Sequence, residues 1–159
     1  MTLLPGSRRS ELTAHSALFV QTALAVAKEQ ANCHFIVPMI DEDAKDYFLR
    51  IVRKEAPRLS WEIVIRQHRE AIAAADAVLA ASGTVTLEVA LLERPMLIAY
   101  RLNPLTYMIA KKLVKTPWIG LPNILLQKGV VPELIQNQAT PLKLARELLN
   151  LLDPVRAME

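Results

Sequence analysis

With one cysteine in 159 residues, an internal disulfide is excluded. Cys33 lies in the apolar run Cys33-His34-Phe35-Ile36-Val37, which reads as a buried strand, and this usage fits a reducing, cytosolic compartment. No apolar stretch reaches the roughly 18 uncharged residues that span a bilayer. The start of the chain is neither a signal nor a transit peptide, so any membrane contact is expected at the surface. Charge of one sign is also in short supply: a net charge of +3 and a pI near 9.2 suit a phosphate-bearing ligand or an anionic membrane surface but are too weak for nucleic acid. His15, His34 and His68 are scattered, with no carboxylate or cysteine at metal-ligand spacing, so neither a zinc nor an iron site is expected. There is no GxSxG elbow, Walker loop or GxGxxG, no internal repeat and no low-complexity tract.

What is present is a globular composition, 52% hydrophobic and 22% charged, at a length suited to one domain spanning 1–159. Short apolar runs alternate with stretches of helical spacing, the pattern of βα units around a parallel sheet, so the expected class is α/β. Strands are read at about Thr2 to Leu4, His34 to Pro38, Glu62 to Ile65, Ala77 to Ala81 and Met96 to Tyr100. Helices are read at about Glu11 to Gln30, Asp43 to Glu55, Arg69 to Ala75 and Thr84 to Leu92, joined by right-handed crossovers. After Tyr100 the alternation degrades. Asn103-Pro104 offers a cap and a first-turn proline for a basic amphipathic helix, Leu105 to Lys115, with Lys111, Lys112 and Lys115 beside Leu105, Met108, Ile109, Leu113 and Val114. Thr140-Pro141 opens a last helix, Leu142 to Leu152, by the same logic. Leu3-Leu4-Pro5-Gly6-Ser7-Arg8 follows the first residues directly, with no earlier element to give that strand a sheet of its own, so the chain is expected to continue a longer protein.

Two turns stand at the carboxyl ends of strands, where open α/β sheets bind ligands. In Pro5-Gly6-Ser7-Arg8-Arg9-Ser10-Glu11, Gly6 lets the backbone approach a ligand and Arg8 offers a guanidinium to a diphosphate. The plainer reading is a turn at Gly6, a cap at Ser7 or Ser10, and arginines in solvent. In Ala80-Ala81-Ser82-Gly83-Thr84-Val85-Thr86-Leu87-Glu88, the hydroxyls of Ser82 and Thr84 flank Gly83 in a plausible phosphate cradle. Glu88, one turn on, can accept both hydroxyls of a ribose or simply complement the helix start. A third stretch, Trp118-Ile119-Gly120-Leu121-Pro122-Asn123, reads as a loop before Gly129 and a helix start at Pro132-Glu133, with Asn123 facing a phosphate or capping a turn.

Together, Leu3-Leu4-Pro5-Gly6-Ser7-Arg8, the Ala80 to Glu88 segment, Pro95-Met96-Leu97-Ile98-Ala99-Tyr100-Arg101, Ala110 to Thr116 and Leu121-Pro122-Asn123-Ile124 resemble lipid A disaccharide synthases over nearly the whole chain. The resemblance is to the C-terminal half of that family. It implies a GT-B fold in which this Rossmann-like domain holds a nucleotide sugar, UDP-2,3-diacylglucosamine, while an N-terminal domain holds the acceptor lipid and the catalytic base. It implies transfer of the diacylglucosamine to lipid X to form a β-1,6 disaccharide, without metal or other cofactor, at the cytoplasmic side of the inner membrane. By resemblance, Gly6, Ser7, Arg8 and Ser82-Gly83-Thr84 face the diphosphate, Glu88 the ribose and Asn123 the phosphates, with Glu133 and Gln136 added to the same cleft. Contact with an anionic membrane and an oligomeric state are both compatible with this family; nucleic acid is not an expected partner. Other GT-B relatives acting on UDP-sugars, such as a UDP-N-acetylglucosamine 2-epimerase or a peptidoglycan glycosyltransferase, share a Gly-Ser/Thr-Gly turn followed by a helix Glu. A non-catalytic nucleotide-binding domain is the remaining alternative.

Overall fold

In the computed structural model, residues 1–103 and 116–153 are described. Six strands form one sheet: β1 Thr2–Leu4, β2 His34–Met39, β3 Ser60–Ile65, β4 Val78–Ala80, β5 Met96–Tyr100 and β6 Glu133–Ile135. Their order is β3-β2-β1-β4-β5-β6 and every pairing is parallel. This is the strand order of the Rossmann fold, and its direction of winding reverses between β1 and β4. The helices are α1 Arg9–Glu29, α2 Glu42–Glu55, α3 His68–Ala73, α4 Val85–Leu91, α5 Leu121–Leu126 and α6 Pro141–Leu152, with a short 3₁₀ turn at Gln136–Gln138.

Strand alternation sorts the core into two layers. Leu3, Phe35, Val37, Leu79 and Leu97 face Phe19, Phe48, Leu144 and Leu148 of α1, α2 and α6. Leu4, Val78, Ala80, Met96 and Ile98 point the other way, onto Ile72 of α3 and Val89 of α4. The central strands β1 and β4 are buried along their whole length, as expected where helices cover both faces of a parallel sheet. Helix α2 begins where Asp41 Oδ1 accepts from the Ala44 N–H at 2.8 Å, and Thr140 caps α6 through Lys143 N–H, each a side-chain oxygen taking up an otherwise orphan donor.

The strand and helix cores stand where the apolar periodicity puts them, with ends shifted by a residue or two. The C-terminal third differs more. The expected helix start at Pro132-Glu133 is instead β6, because β5 has a free edge and the Ile98 to Tyr100 backbone pairs with Glu133 to Ile135. The expected loop at Trp118 to Asn123 contains the start of α5, which has Pro122 in its first turn. The basic helix expected over 105–115 lies outside the described residues. Among the described residues no helix is long and apolar enough to cross a membrane.

Candidate nucleotide-binding cleft

A cleft of about 810 Å³ opens at the carboxyl ends of the strands, between the turns that follow β1 and β4. It therefore sits at the reversal point of the sheet, where neighbouring crossovers diverge to opposite faces and leave a crevice. Gly6, Ser7 and Arg8 line one side, Ser82, Gly83, Thr84 and Glu88 another, with Arg66 and His68 from the turn after β3 closing a third. Apolar wall is supplied by Leu4, Pro38, Met39, Ile40, Val85, Ile119 and Leu121. A cavity of this size with apolar walls and a few polar groups has the character of a small-molecule site.

Both turns need their glycines. Gly6 has φ +112°, and a Cβ there would run into the Glu11 side chain. Gly83 has φ +144° with open space around it, so only the backbone conformation demands glycine. The Glu11 carboxylate accepts from the Ser7 and Arg8 N–H groups at 3.0 and 3.2 Å. It also lies 3.4 Å from the Arg8 guanidinium. The turn thus presents its amides already paired, and Arg8 stands largely in solvent with Glu11 as its ion-pair partner. On the other side, Ser82 Oγ donates to the Ile119 carbonyl at 2.9 Å, so toward the cleft this hydroxyl is an acceptor. Thr86 Oγ1 donates to the Gly83 carbonyl at 2.7 Å and closes the first turn of α4. Thr84 is exposed at the mouth.

Three of the residues assigned to this cleft by resemblance stand elsewhere. Asn123 is fully buried. Its Nδ2 donates to the Val131 carbonyl and to Glu133 Oε1, both at 2.7 Å. Its Oδ1 accepts from the Val130 and Val131 N–H groups, both at 2.8 Å. All the hydrogen-bonding capacity of the amide is used inside the protein. Glu133 accepts from Ile119 N–H at 2.8 Å and from Gly120 N–H at 3.0 Å. The pair therefore pins the chain that carries Ile119 into the wall and acts on the cleft only through that backbone. The Gln136 amide bridges both backbone groups of Leu102, at 2.6 and 3.1 Å, beyond the end of β5.

Glu11, Arg66 and His68 also line the cleft. Glu11 carries a signal, a carboxylate in the first turn of a helix after a Gly-Ser turn, the spacing at which a side chain reaches back to orphan amides. Arg66 and His68 carry none, since only the fold brings the segment between β3 and α3 to the cleft. Arg66 takes a left-handed φ of +55° and its Nε donates to the Ile40 carbonyl at 3.2 Å. His68 Nε2 lies 3.0 Å from Glu88 Oε2. Beneath the first turn, His15 is buried and its Nε2 accepts from the Arg101 N–H at 3.0 Å. Burial pushes this imidazole below its ordinary value near 6.5; the Glu11 and Pro5 backbone and the Glu11 charge oppose it without overcoming it, and the Arg101 charge adds a last, smallest push downward. Among the described residues no three His, Cys, Asp or Glu side chains gather closely enough to hold a metal ion.

The model of the family described as lipid-A-disaccharide synthetase matches residues 1–157. The chain belongs to that family. It is 44% identical over 156 residues to the lipid-A-disaccharide synthase of Azoarcus sp. (strain BH72), covering 97% of this chain and 40% of that protein. It is 48% identical over 147 residues to the lipid-A-disaccharide synthase of Neisseria meningitidis serogroup A (strain Z2491), covering 92% of this chain and 38% of that one. The chain thus spans about two fifths of the length of the family members it matches. Among solved structures it superposes on E. coli ADP-heptose lps heptosyltransferase II with a TM-score of 0.64 at 14% identity, over 99% of this chain and 47% of that one. At that identity the likeness is one of fold, and it agrees with the α/β, Rossmann-like parallel sheet of a GT-B half expected from the sequence.

Proposed function

We propose that the chain is the nucleotide-sugar-binding half of a glycosyltransferase of the lipid-A-disaccharide synthase type, with UDP-2,3-diacylglucosamine in the cleft between the Gly6 and Gly83 turns. One observation carries the reading: the two turns and Glu88 meet in a single cleft at the reversal point of the sheet. In the proposed reaction the 6-hydroxyl oxygen of the acceptor, lipid X, attacks the anomeric carbon. The bond from that carbon to the β-phosphate oxygen breaks, UDP leaves with the electron pair, and the hydroxyl proton passes to a base on the acceptor-binding half. Charge grows on the diphosphate as it leaves. A guanidinium beside the leaving diphosphate offsets that charge, and a weak, exposed ion pair is easily given up for it. Arg8, exposed and held only by Glu11, can swing to it, while Glu88 accepts from the ribose hydroxyls.

Calorimetric titration of UDP and ADP into the 159-residue chain tests this. Saturable UDP binding, weaker for ADP, is expected; equal affinity for both, or none for either, would sink it. Glu88→Gln is expected to weaken UDP binding by about 1 to 3 kcal/mol, the range for a hydrogen bond to a charged group. If that variant only lowers the melting temperature, Glu88 belongs to the helix start and not to the ribose. A lipid substrate calls for the protein to work at the cytoplasmic surface of the inner membrane, and the positive charges of Lys111, Lys112 and Lys115 suit anionic head groups at about 1 kcal/mol each. Co-sedimentation with anionic vesicles that falls with salt and with Lys111→Glu plus Lys112→Glu is the expected result, and no sedimentation at low salt would overturn this placement.

A further inference from the structure

Of the two carboxylates on the cleft wall, Glu11 is spent on backbone amides and an arginine, whereas Glu88 is held by one group alone. Its Oε2 lies 3.0 Å from His68 Nε2, and its Oε1 has no hydrogen-bond partner among the described residues. The partners come from different crossovers: His68 opens α3 after β3, and Glu88 lies in α4 after β4. Both are part-exposed, at 46% and 39%, and both line the cleft. The pair is therefore neither a buried structural bridge nor a pair of neighbours along one helix.

A ring nitrogen this close to a carboxylate oxygen carries its proton and donates it, since two lone pairs would repel. Anchoring one oxygen of a long side chain removes rotamer freedom that would otherwise be lost when ligand binds. It leaves Oε1 and the second lone pair of Oε2 for two further donors, which is the demand of a vicinal diol. We propose that His68 is a positioning residue that pre-sets Glu88 to receive the two ribose hydroxyls of the nucleotide. This rests on the reading of the cleft as a nucleotide site. His68 touches neither phosphate nor sugar in this arrangement; it acts through Glu88.

The test titrates UDP and 2′,3′-dideoxy-UDP into the 159-residue chain and into its His68→Ala and His68→Gln variants. His68→Ala is expected to weaken UDP about three- to tenfold, the loss of one hydrogen bond's worth of positioning. His68→Gln, which keeps an N–H donor at similar reach, is expected to restore UDP to within about twofold. Dideoxy-UDP is expected to bind all three proteins alike. Because both side chains are part-exposed, melting temperatures are expected to stay within about 3 °C. UDP affinity unchanged in His68→Ala, or UDP and dideoxy-UDP weakened equally, overturns the role of His68 while leaving the nucleotide site standing. Equal binding of the two ligands by the unaltered chain overturns the ribose contact itself, and no binding of either overturns the site and the positioning role together.

Discussion

Asn123 shows how a residue type can be right for two tasks and be used for only one. A short amide beside a glycine-containing loop suits a phosphate, but here all its bonds run to Val130, Val131 and Glu133. Asn123→Ala is expected to destabilise the fold by about 2 to 4 kcal/mol, because several buried groups lose their partner at once. Denaturant unfolding checks this, and a change under about 0.5 kcal/mol, the scale of a neutral surface substitution, would contradict it. His15 makes the matching case in the core. Its folded-state pKa lies below the unfolded value near 6.5, so the unfolded chain binds more protons than the folded one in the window below that value. The stability it contributes is complete above about pH 6.5 and is lost as pH falls through the folded-state pKa. Protonation would also cost Nε2 its bond from Arg101. Melting curves from pH 7.5 down to 5 are expected to fall more steeply for the unaltered chain than for His15→Gln. Parallel curves would mean that the buried imidazole does not titrate there.

At the scale of elements, the two glycine turns look alike in sequence and differ in what they tolerate. Gly6 combines a positive φ with no room for a Cβ, whereas Gly83 has the φ but open space. Gly6→Ala is expected to cost roughly 2 to 4 kcal/mol, strain plus a clash with the side chain that caps α1. Gly83→Ala is expected to cost about 1 to 2 kcal/mol, from backbone strain alone. Thermal unfolding of the two variants decides, and equal losses would show that the clash at Gly6 relaxes freely. The elements that periodicity located well are long or fully apolar: α1 and α2 with their spaced apolar residues, and β1, β4 and β5 as short buried runs. β6 and α5 were not legible, for a physical reason. β6 is only half-buried and joins the sheet through its pairing with β5, and α5 begins at Leu121-Pro122 straight after Gly120, residues that suit a turn as well as a first helical turn.

Across the whole molecule, the alternation of strands and helices already determined a parallel α/β sheet, since parallel strands need crossovers and crossovers cover both faces. The motifs at Gly6 and Ser82 to Glu88, and their order along the chain, determined which strand ends carry polar groups and which family the chain resembles. Only the tertiary structure decided which of those groups share a cleft. The order β3-β2-β1-β4-β5-β6 sets the β1 and β4 turns side by side, and the α3 crossover from β3 to β4 places His68 against Glu88, residues 20 positions apart. The same packing buries Asn123 under its own loop and turns Glu133 inward to Ile119 and Gly120. Local chemistry fixes what a side chain can do. Which groups it meets depends on contacts between distant segments, and those exist only once the sheet has closed against its helices.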